Sequence, residues 1–351
     1  MDKRTKDILK YVVSIALAVV LLYFSFRNVK WSDFWTALSS CHWEFVLLSM
    51  AFGFAGFWLR SLRWRMTLLP IDEKIDRLTC LNAVNISYVV NLVLPRAGEL
   101  ARCGYVTKHS EVGQDGRKKA SLDKVLGTVV LDRLWDLISL IIILLATLLF
   151  FRERFSAFLE WGASNMHFSP SWLLVGLVIA FGLPVAAVWL LRDKNRLCGK
   201  IWELVRGVGQ GLTTCLHMKQ GWLFIVYTIL IWGTYVMTSA SIIWAVQDVD
   251  LSAMGAAGVM DTIAGMDMMD AFLLMVAGAL SSLVPVPGGF GAFHYVVSLF
   301  LQSVYGIPMA VGMVFATLSH ESQILTQVIA GLSSYAIESF RKGIPGKAET
   351  K

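Results

Sequence analysis

The sequence has little charge and lacks the motifs of nucleotide-driven or hydrolytic enzymes. Charged residues make up 16% of its 351 residues, against about 25% in soluble domains. It contains no P-loop of the form GxxxxGKS or GxxxxGKT, no HExxH and no GxSxG, so nothing supports ATP hydrolysis, zincin chemistry or a serine hydrolase. Its polar loops reach only about 30 residues, too short for a catalytic domain. We therefore predict a protein that is not an enzyme and holds no cofactor.

Cysteine is also sparse and scattered. The five cysteines form no CxxC pair and have no ligand-like spacing to histidine. This distribution is typical neither of a disulfide framework nor of a zinc site. We predict ordinary thiols and no metal site.

Apolar residues dominate the composition. Hydrophobic residues make up 56% of the chain, and the mean hydropathy is +0.62. Residues 221–246 form a stretch of 26 positions without charge, enough for a helix to cross a hydrocarbon core of about 30 Å. The apolar runs are 8–26, 43–59, 80–94, 125–151, 171–191, 221–246, 271–284, 292–305 and 309–337. We predict an all-α polytopic membrane protein that forms a single membrane domain, residues 1–351.

Basic residues cluster in the short segments between these runs, which is a topology signal and not a nucleic-acid-binding surface. Lysine and arginine are frequent in 60–79, 96–124 and 192–220 and at both termini, whereas 247–270 has none. The positive-inside rule then predicts an inner-membrane protein with both termini cytoplasmic. The first run has no small-residue cleavage site after it, so we interpret it as a retained anchor.

Some runs are too short to cross the membrane. Residues 80–94 reach about 22 Å as a helix and have basic segments on both sides. Runs 271–284 and 292–305 are joined by the helix-breaking sequence PVPGGFG. We predict about six full spans and two re-entrant or broken helix pairs, or eight or so helices if the pairs count as spans. The halves 8–151 and 171–338 would form an inverted repeat, as in many transporters.

The first break holds candidate substrate-binding residues. Pro95 ends one helix and Gly98 permits a turn. Arg96, Glu99 and Arg102 are spaced at i, i+3 and i+6, so they share a face of a helix that resumes there. The alternative is that this turn lies in the headgroup layer and its arginines only set topology.

Other ionisable residues lie inside predicted spans, where they are costly unless they pair or line a cavity. They are Asp132, Arg133 and Asp136 in one span and His320 with Glu321 in the last. The alternatives are a structural ion pair near the inner leaflet and a polar patch that holds helices together.

Three further groups of residues are candidates. His294, just beyond the second break, is as consistent with a structural role as with a functional one. Arg63, with Arg60 and Arg65, either anchors the end of a span or binds a lipid phosphate. The glycines and proline of the second break, Pro287, Gly288, Gly289 and Gly291, are predicted to form its hinge.

The chain resembles the flippase-like transmembrane region of lysylphosphatidylglycerol synthases over about residues 8–338. The resemblance rests on four elements in order: LRWR at 62–65, LPRAGE at 94–99, Asp132-Arg133 with Asp136, and PGGFG at 287–291. Many members carry Glu at the positions of Asp132 and His294. These 351 residues include no aminoacyltransferase domain, so the resemblance implies lipid movement and not lysine transfer.

We expect a lipid flippase-like transporter whose partner is a membrane lipid and not a nucleic acid. Arg96, Arg102 and Arg133 would bind a lipid phosphate, and the carboxylates would balance charge or accept a cationic headgroup or proton. Two alternatives remain at this level. One is a non-catalytic membrane partner of an envelope lipid or glycan enzyme, and self-association of the chain into a homo-oligomer is left open. The other is an intramembrane transferase.

Overall fold

A computed structural model describes residues 3–27, 29–94, 97–113, 116, 118–150, 183–192, 195, 198–199, 202, 220–282, 284 and 286–343. Within these residues the secondary structure is helical, and the only β-type pairing is an isolated bridge between Val112 and Lys118. The helices are α1 (Lys3–Phe26), α2 (Trp31–Ser40), α3 (Trp43–Leu68), α4 (Arg77–Val93), α5 (Ala97–His109), α6 (Leu122–Phe150), α7 (Leu183–Leu191), α8 (Gly221–Val246), α9 (Met260–Ala264), α10 (Met268–Ser281), α11 (Ala292–Tyr305) and α12 (Met309–Gly343).

The chain divides into two compact units. The first contains Met1–Val130 and Val226–Lys351, and the second contains Leu131–Ile225. The hairpins described next belong entirely to the first unit.

Helices α4 and α5 form the first hairpin, and they run antiparallel. Asn82 near the start of α4 donates a hydrogen bond of 3.3 Å to the hydroxyl of Tyr105 near the end of α5. At the other end, the amide of Gly98 donates to the side-chain oxygen of Asn91 at 2.8 Å. Asp76 caps α4 by accepting from the Thr79 amide at 2.9 Å, which fixes where the helix begins.

Helices α10 and α11 form the second hairpin. The hydroxyl of Tyr305 donates to Asp270 at 2.7 Å where the hairpin opens. Near its closed end, Gly278 lies so close to Phe293 that a Cβ atom at Gly278 would be 2.8 Å from the ring. A capping box between Asp267 and Asp270 begins α10. At 14 residues each, these helices reach about 21 Å and cannot cross a bilayer core singly.

Helix α12 is 35 residues long, or about 50 Å, and both hairpins pack along it. The first hairpin lies along its C-terminal half, where Asn85 donates to Ser334 at 2.9 Å. The second lies along its N-terminal half, where the hydroxyl of Ser298 donates to the sulfur of Met313 at 3.3 Å. The hairpins therefore approach the middle of α12 from opposite ends.

The closed ends of the two hairpins meet. A Cβ atom built at Gly288, in the turn of the second hairpin, would lie 3.7 Å from Cδ2 of Leu92 near the end of α4. We call this meeting point the tip junction, formed by residues 91–94 of the first hairpin and 286–291 of the second.

The structure agrees with most of the predicted apolar runs and differs from them at particular places. Run 221–246 is α8 and run 292–305 is α11, with the predicted bounds. The predicted run 43–59 ends too early. Helix α3 continues to Leu68 and includes the arginines that follow the run. Helix α2 was not predicted, and most of run 171–191 lies outside the described residues.

This is a membrane protein, and the count of six full spans stays a prediction. Two helices, α3 and α8, are long and apolar enough to cross a membrane alone. Residues Ile15–Phe26 of α1 and α2 form a third candidate only as a pair bent by 87°. These counts refer to the residues that the structure describes.

Candidate functional site

The turn of the second hairpin consists of left-handed glycines. Gly288, Gly289 and Gly291 have φ values of 58°, 77° and 77°, a region that costs other residues about 1–2 kcal/mol each. Pro287 begins a short 3₁₀ turn at Pro287–Gly289. Glycine is therefore required here by the backbone, and the predicted hinge residues form the turn itself.

The imidazole of His320 is fixed against this turn. Its Nε2 atom lies 2.9 Å from the carbonyl oxygen of Gly288. Because a carbonyl only accepts hydrogen bonds, Nε2 carries the proton. On the opposite side of the ring, Nδ1 lies 3.1 Å from Oε1 of Glu321.

A second histidine approaches the same carboxylate oxygen. Nε2 of His294, on α11, lies 3.6 Å from Oε1 of Glu321. The side chains of His294 and His320 are 2% and 9% exposed, whereas that of Glu321 is 44% exposed. The three residues thus form a buried imidazole pair behind a half-exposed carboxylate, and we call them the His–His–Glu cluster.

Aromatic rings and α1 surround this cluster. The rings of Phe290 and Phe293 each lie 5.2 Å from that of His320, centroid to centroid, and Phe26 lies 5.9 Å from His294. Gly291 contacts the backbone of α1, since a Cβ atom there would lie 2.7 Å from the carbonyl oxygen of Ala18. The end of α1 therefore covers the cluster on one side.

The closed end of the first hairpin holds Glu99. The side-chain amide nitrogen of Asn91 donates a hydrogen bond to Oε2 of Glu99 at 3.4 Å, and the side-chain oxygen of Asn91 accepts one from the Gly98 amide. Gly98 sits against the carbonyl oxygen of Ser87, in a space where a Cβ atom would clash with backbone. Pro95 and Arg96, which were predicted to belong to this site, lie outside the described residues.

Two predicted arginines are buried, Arg102 on α5 of this hairpin and Arg63 on α3. Arg102 is 1% exposed and its guanidinium carbon lies 4.6 Å above the ring of Trp64. Arg63 is fully buried, and its NH1 atom donates to Thr228 at 3.4 Å. Arg60, 6% exposed, donates to Tyr235 at 2.7 Å. Arg60 and Arg63 therefore lie inside the protein and not at its surface, so the anchoring interpretation of Arg63 loses its main support.

The remaining predicted residues belong to the second unit. Asp132 is fully buried, and Arg133 and Asp136 form an ion pair of 3.8 Å one turn apart on α6. In the same unit, Trp135 packs against Phe224 with ring centroids 5.4 Å apart. Glu99 and Arg102 thus lie on the first hairpin, and Arg63 precedes, on α3, the tryptophan on which Arg102 stacks. His320 and Glu321 lie near the second hairpin, and the α6 residues belong to the other unit.

A small cavity of about 20 Å³ borders the cluster, room for about one water molecule. Phe293, which packs against His320, is one of its walls, and Ser239 and Ser319 supply its polar groups. The cavity therefore has serine side chains in its lining beside the second hairpin.

Sequence reasoning missed two features of the site. Trp64 lies between Arg63 and Arg65 in the chain, and its ring stacks under the guanidinium group of Arg102, a contact that the sequence analysis did not predict. His294 was left open because nothing in the sequence places it beside Glu321. A pairing across helices can be found from one sequence only when the packing of those helices is known.

A polar network joins the loops at the open end of the first hairpin. Asp72 accepts hydrogen bonds from the Ser110 hydroxyl and the Glu111 amide, while Glu111 pairs with Lys74 at 2.6 Å. Burial of Asp72 opposes its ionisation, but these bonds and the nearby charge of Lys119 outweigh it and hold the pKa of Asp72 below its usual value. The network therefore holds the loop before α4 against the loop after α5.

Comparison with known proteins identifies the family. The family model described as "Lysylphosphatidylglycerol synthase TM region" matches residues 11–331. No curated protein and no solved structure matches the chain.

Proposed function

The chain belongs to the family of lysylphosphatidylglycerol synthase TM regions, and we propose that it is a flippase-like transporter that moves a phospholipid or lipid-linked headgroup across the cytoplasmic membrane. In this proposal it is not an enzyme. Its substrate is anionic or carries a modified headgroup, and both termini are cytoplasmic. The observation that carries the proposal is the tip junction, where two hairpins meet beside the middle of α12.

The arrangement of the hairpins supports an inverted repeat. The first hairpin opens toward the C-terminal end of α12, which we propose to be cytoplasmic because the tail that follows it is basic. The second opens toward the N-terminal end, beside the acidic and lysine-free segment 247–270. Two short hairpins that entered from opposite faces would place non-helical backbone at membrane depth. Such backbone is tolerated where protein or a wet cavity surrounds it.

The buried arginines are the residues proposed to bind the lipid headgroup. Arg63, Arg96 and Arg102 would bind lipid phosphate by charge-assisted hydrogen bonds when the hairpins part. Arg133, on α6, is proposed separately as a further phosphate-binding residue. Glu99 and Glu321, near the two closed ends, would balance this charge or accept a cationic headgroup or proton. Asp132 and Asp136 would do the same along α6.

The proposal is tested by lipid movement in proteoliposomes. Fluorescent lipids with several headgroups are followed with a membrane-impermeant quencher, with and without a proton gradient. We expect protein-dependent movement of at least one headgroup and its loss in Glu99→Gln. Folded protein that moves none of the headgroups would overturn the proposal and would favour a non-catalytic partner of an envelope enzyme.

A further inference from the structure

We propose that His294, His320 and Glu321 bind a divalent first-row transition-metal ion, for which Zn²⁺ is the probe. The inference goes beyond lipid movement and does not depend on it. Two imidazole nitrogens and a carboxylate oxygen are ligands typical of Zn²⁺. Among the described residues, this is the group of histidine, cysteine and acidic side chains close enough to hold an ion, with all three ligand atoms within 4.8 Å of one another.

The orientation of His320 suits an ion at this place. Its Nε2 atom faces the Gly288 carbonyl oxygen at 2.9 Å. Its Nδ1 atom is turned toward Oε1 of Glu321 at 3.1 Å. A metal ion satisfies both atoms, and the bond from Nε2 to Gly288 then orients the ligand ring, as in known metal sites.

His294 supplies the second observation. Its side chain is 2% exposed, and its Nδ1 atom has no hydrogen-bond partner among the described residues. Its approach to Glu321 through Nε2 at 3.6 Å is therefore the polar contact that explains a histidine among the rings of Phe26 and Phe293. A ligand role accounts for both the burial and the direction of this ring.

Two of the three ligand–ligand distances fit a tetrahedral ion. Bonds of about 2.0–2.1 Å at the tetrahedral angle hold neighbouring ligand atoms about 3.3 Å apart. The two measured edges at Glu321 are 3.1 Å and 3.6 Å. Since the third is within 4.8 Å, closing it moves an imidazole by at most about 1.5 Å.

The site leaves a fourth position open. With three protein ligands and a half-exposed carboxylate, a tetrahedral ion keeps one position for water or another oxygen ligand. The ion would also join α11 to α12 directly beside the turn at Gly288. Bound metal would then hold the second hairpin in the position seen in this structure.

The test is metal binding by the full chain in nanodiscs after treatment with a chelator. Isothermal titration calorimetry with Zn²⁺ and elemental analysis give the affinity and stoichiometry, and Co²⁺ absorption reports tetrahedral geometry. We expect one Zn²⁺ per chain and about tenfold or greater weakening in His294→Ala and in Glu321→Gln. The second variant is isosteric and half exposed, so it remains informative if His294→Ala does not fold.

The matched control is the exposed pair His42 and Glu44, whose Nδ1 and Oε1 atoms lie 3.2 Å apart. His42→Ala should leave Zn²⁺ affinity unchanged. Absence of saturable binding by the wild type would overturn the proposal, as would equal binding by the wild type and folded Glu321→Gln. Either result would assign the cluster to a proton shared between His320 and Glu321. Because no lipid movement is measured, failure here leaves the transport proposal standing, and the reverse also holds.

Discussion

His320 donates a hydrogen bond of 2.9 Å to the carbonyl oxygen of Gly288, and this bond joins the middle of α12 to the turn of the second hairpin. The turn can present that carbonyl because its glycines adopt left-handed backbone conformations. His320 also contacts Glu321 through its other nitrogen. One imidazole therefore connects the backbone of the hairpin to the carboxylate that we place in the transport path.

The first prediction compares two left-handed glycines. Gly289 has a φ of 77°, and a Cβ atom there would lie 3.3 Å from Nε2 of His320, whereas Gly306 has a φ of 68° and open space around it. Alanine should cost about 1–2 kcal/mol of unfolding free energy at either position. Only Gly289→Ala should also reduce lipid movement, because it crowds the imidazole. Thermal unfolding and the proteoliposome assay are measured together. Equal transport by the two variants would contradict a role for the turn.

The second prediction concerns the packing of the first hairpin. Gly98→Ala places a methyl group against the backbone carbonyl of Ser87, which cannot move aside as a side chain can. We expect destabilisation of about 1–3 kcal/mol, as for other overpacked sites. Gly104→Ala, on the same helix with nothing within 4 Å, should be neutral or slightly stabilising. Chemical unfolding in detergent measures both. A neutral Gly98→Ala would mean that the helices are further apart than described.

The sequence predicts the helices of this protein better than their contacts. Hydrophobic runs and breaks locate α8, α11 and both hairpins because charge and helix breakers act locally. Helix α2 was missed because it is ten residues long and mixed in polarity. The end of α3 was misplaced because its arginines looked like a loop, whereas the fold buries them.

In the candidate site too, individual residues could be predicted from the sequence but their contacts could not. Glu321 could be named from the cost of an ionisable group in a membrane, and Arg102 from its helical spacing to Glu99 after the first break. The stacking of Arg102 on Trp64 and the approach of His294 to Glu321 could not, because each joins residues on different helices. No local pattern records such contacts, and one sequence offers no other source for them.

The third prediction concerns Arg102. Loss of its charge should remove a charge-assisted bond to a lipid phosphate, worth about 1.5–3 kcal/mol, and so reduce lipid movement by about tenfold or more. Arg102→Gln is compared with Arg77→Gln, which removes an exposed arginine at the start of α4. The Arg77 variant should transport normally. Rates are normalised to folded protein, since the stacking on Trp64 also contributes to stability. Unchanged movement in a folded Arg102→Gln protein would exclude this residue from headgroup binding.

The fourth prediction is an acid dependence of stability. The folded pKa of Asp72 lies below its usual value, so its contribution to stability is present above the unfolded pKa of about 3.9. That contribution is lost as the pH falls through the folded pKa. Asp72→Asn should therefore lower the melting temperature at pH 7, and the difference from the wild type should shrink below about pH 4. Glu73→Gln, the exposed neighbour, should show no such difference. A gap that is constant with pH would mean that the charge of Asp72 does not matter.

The fifth prediction tests whether the hairpins move apart. In a chain without native cysteines, Leu92→Cys and Gly288→Cys place thiols on the two sides of the tip junction, where a Cβ atom at position 288 would lie 3.7 Å from Cδ2 of Leu92. A short bifunctional thiol reagent should link them within one chain and stop lipid movement if, as we propose, the tips separate to let the headgroup pass. Cleavage of the link should restore movement. The control pairs Leu92→Cys with Gly306→Cys, which carries the same left-handed strain at the far end of α11. This pair should not link. Linked protein that still moves lipid at the wild-type rate would show that the headgroup passes elsewhere.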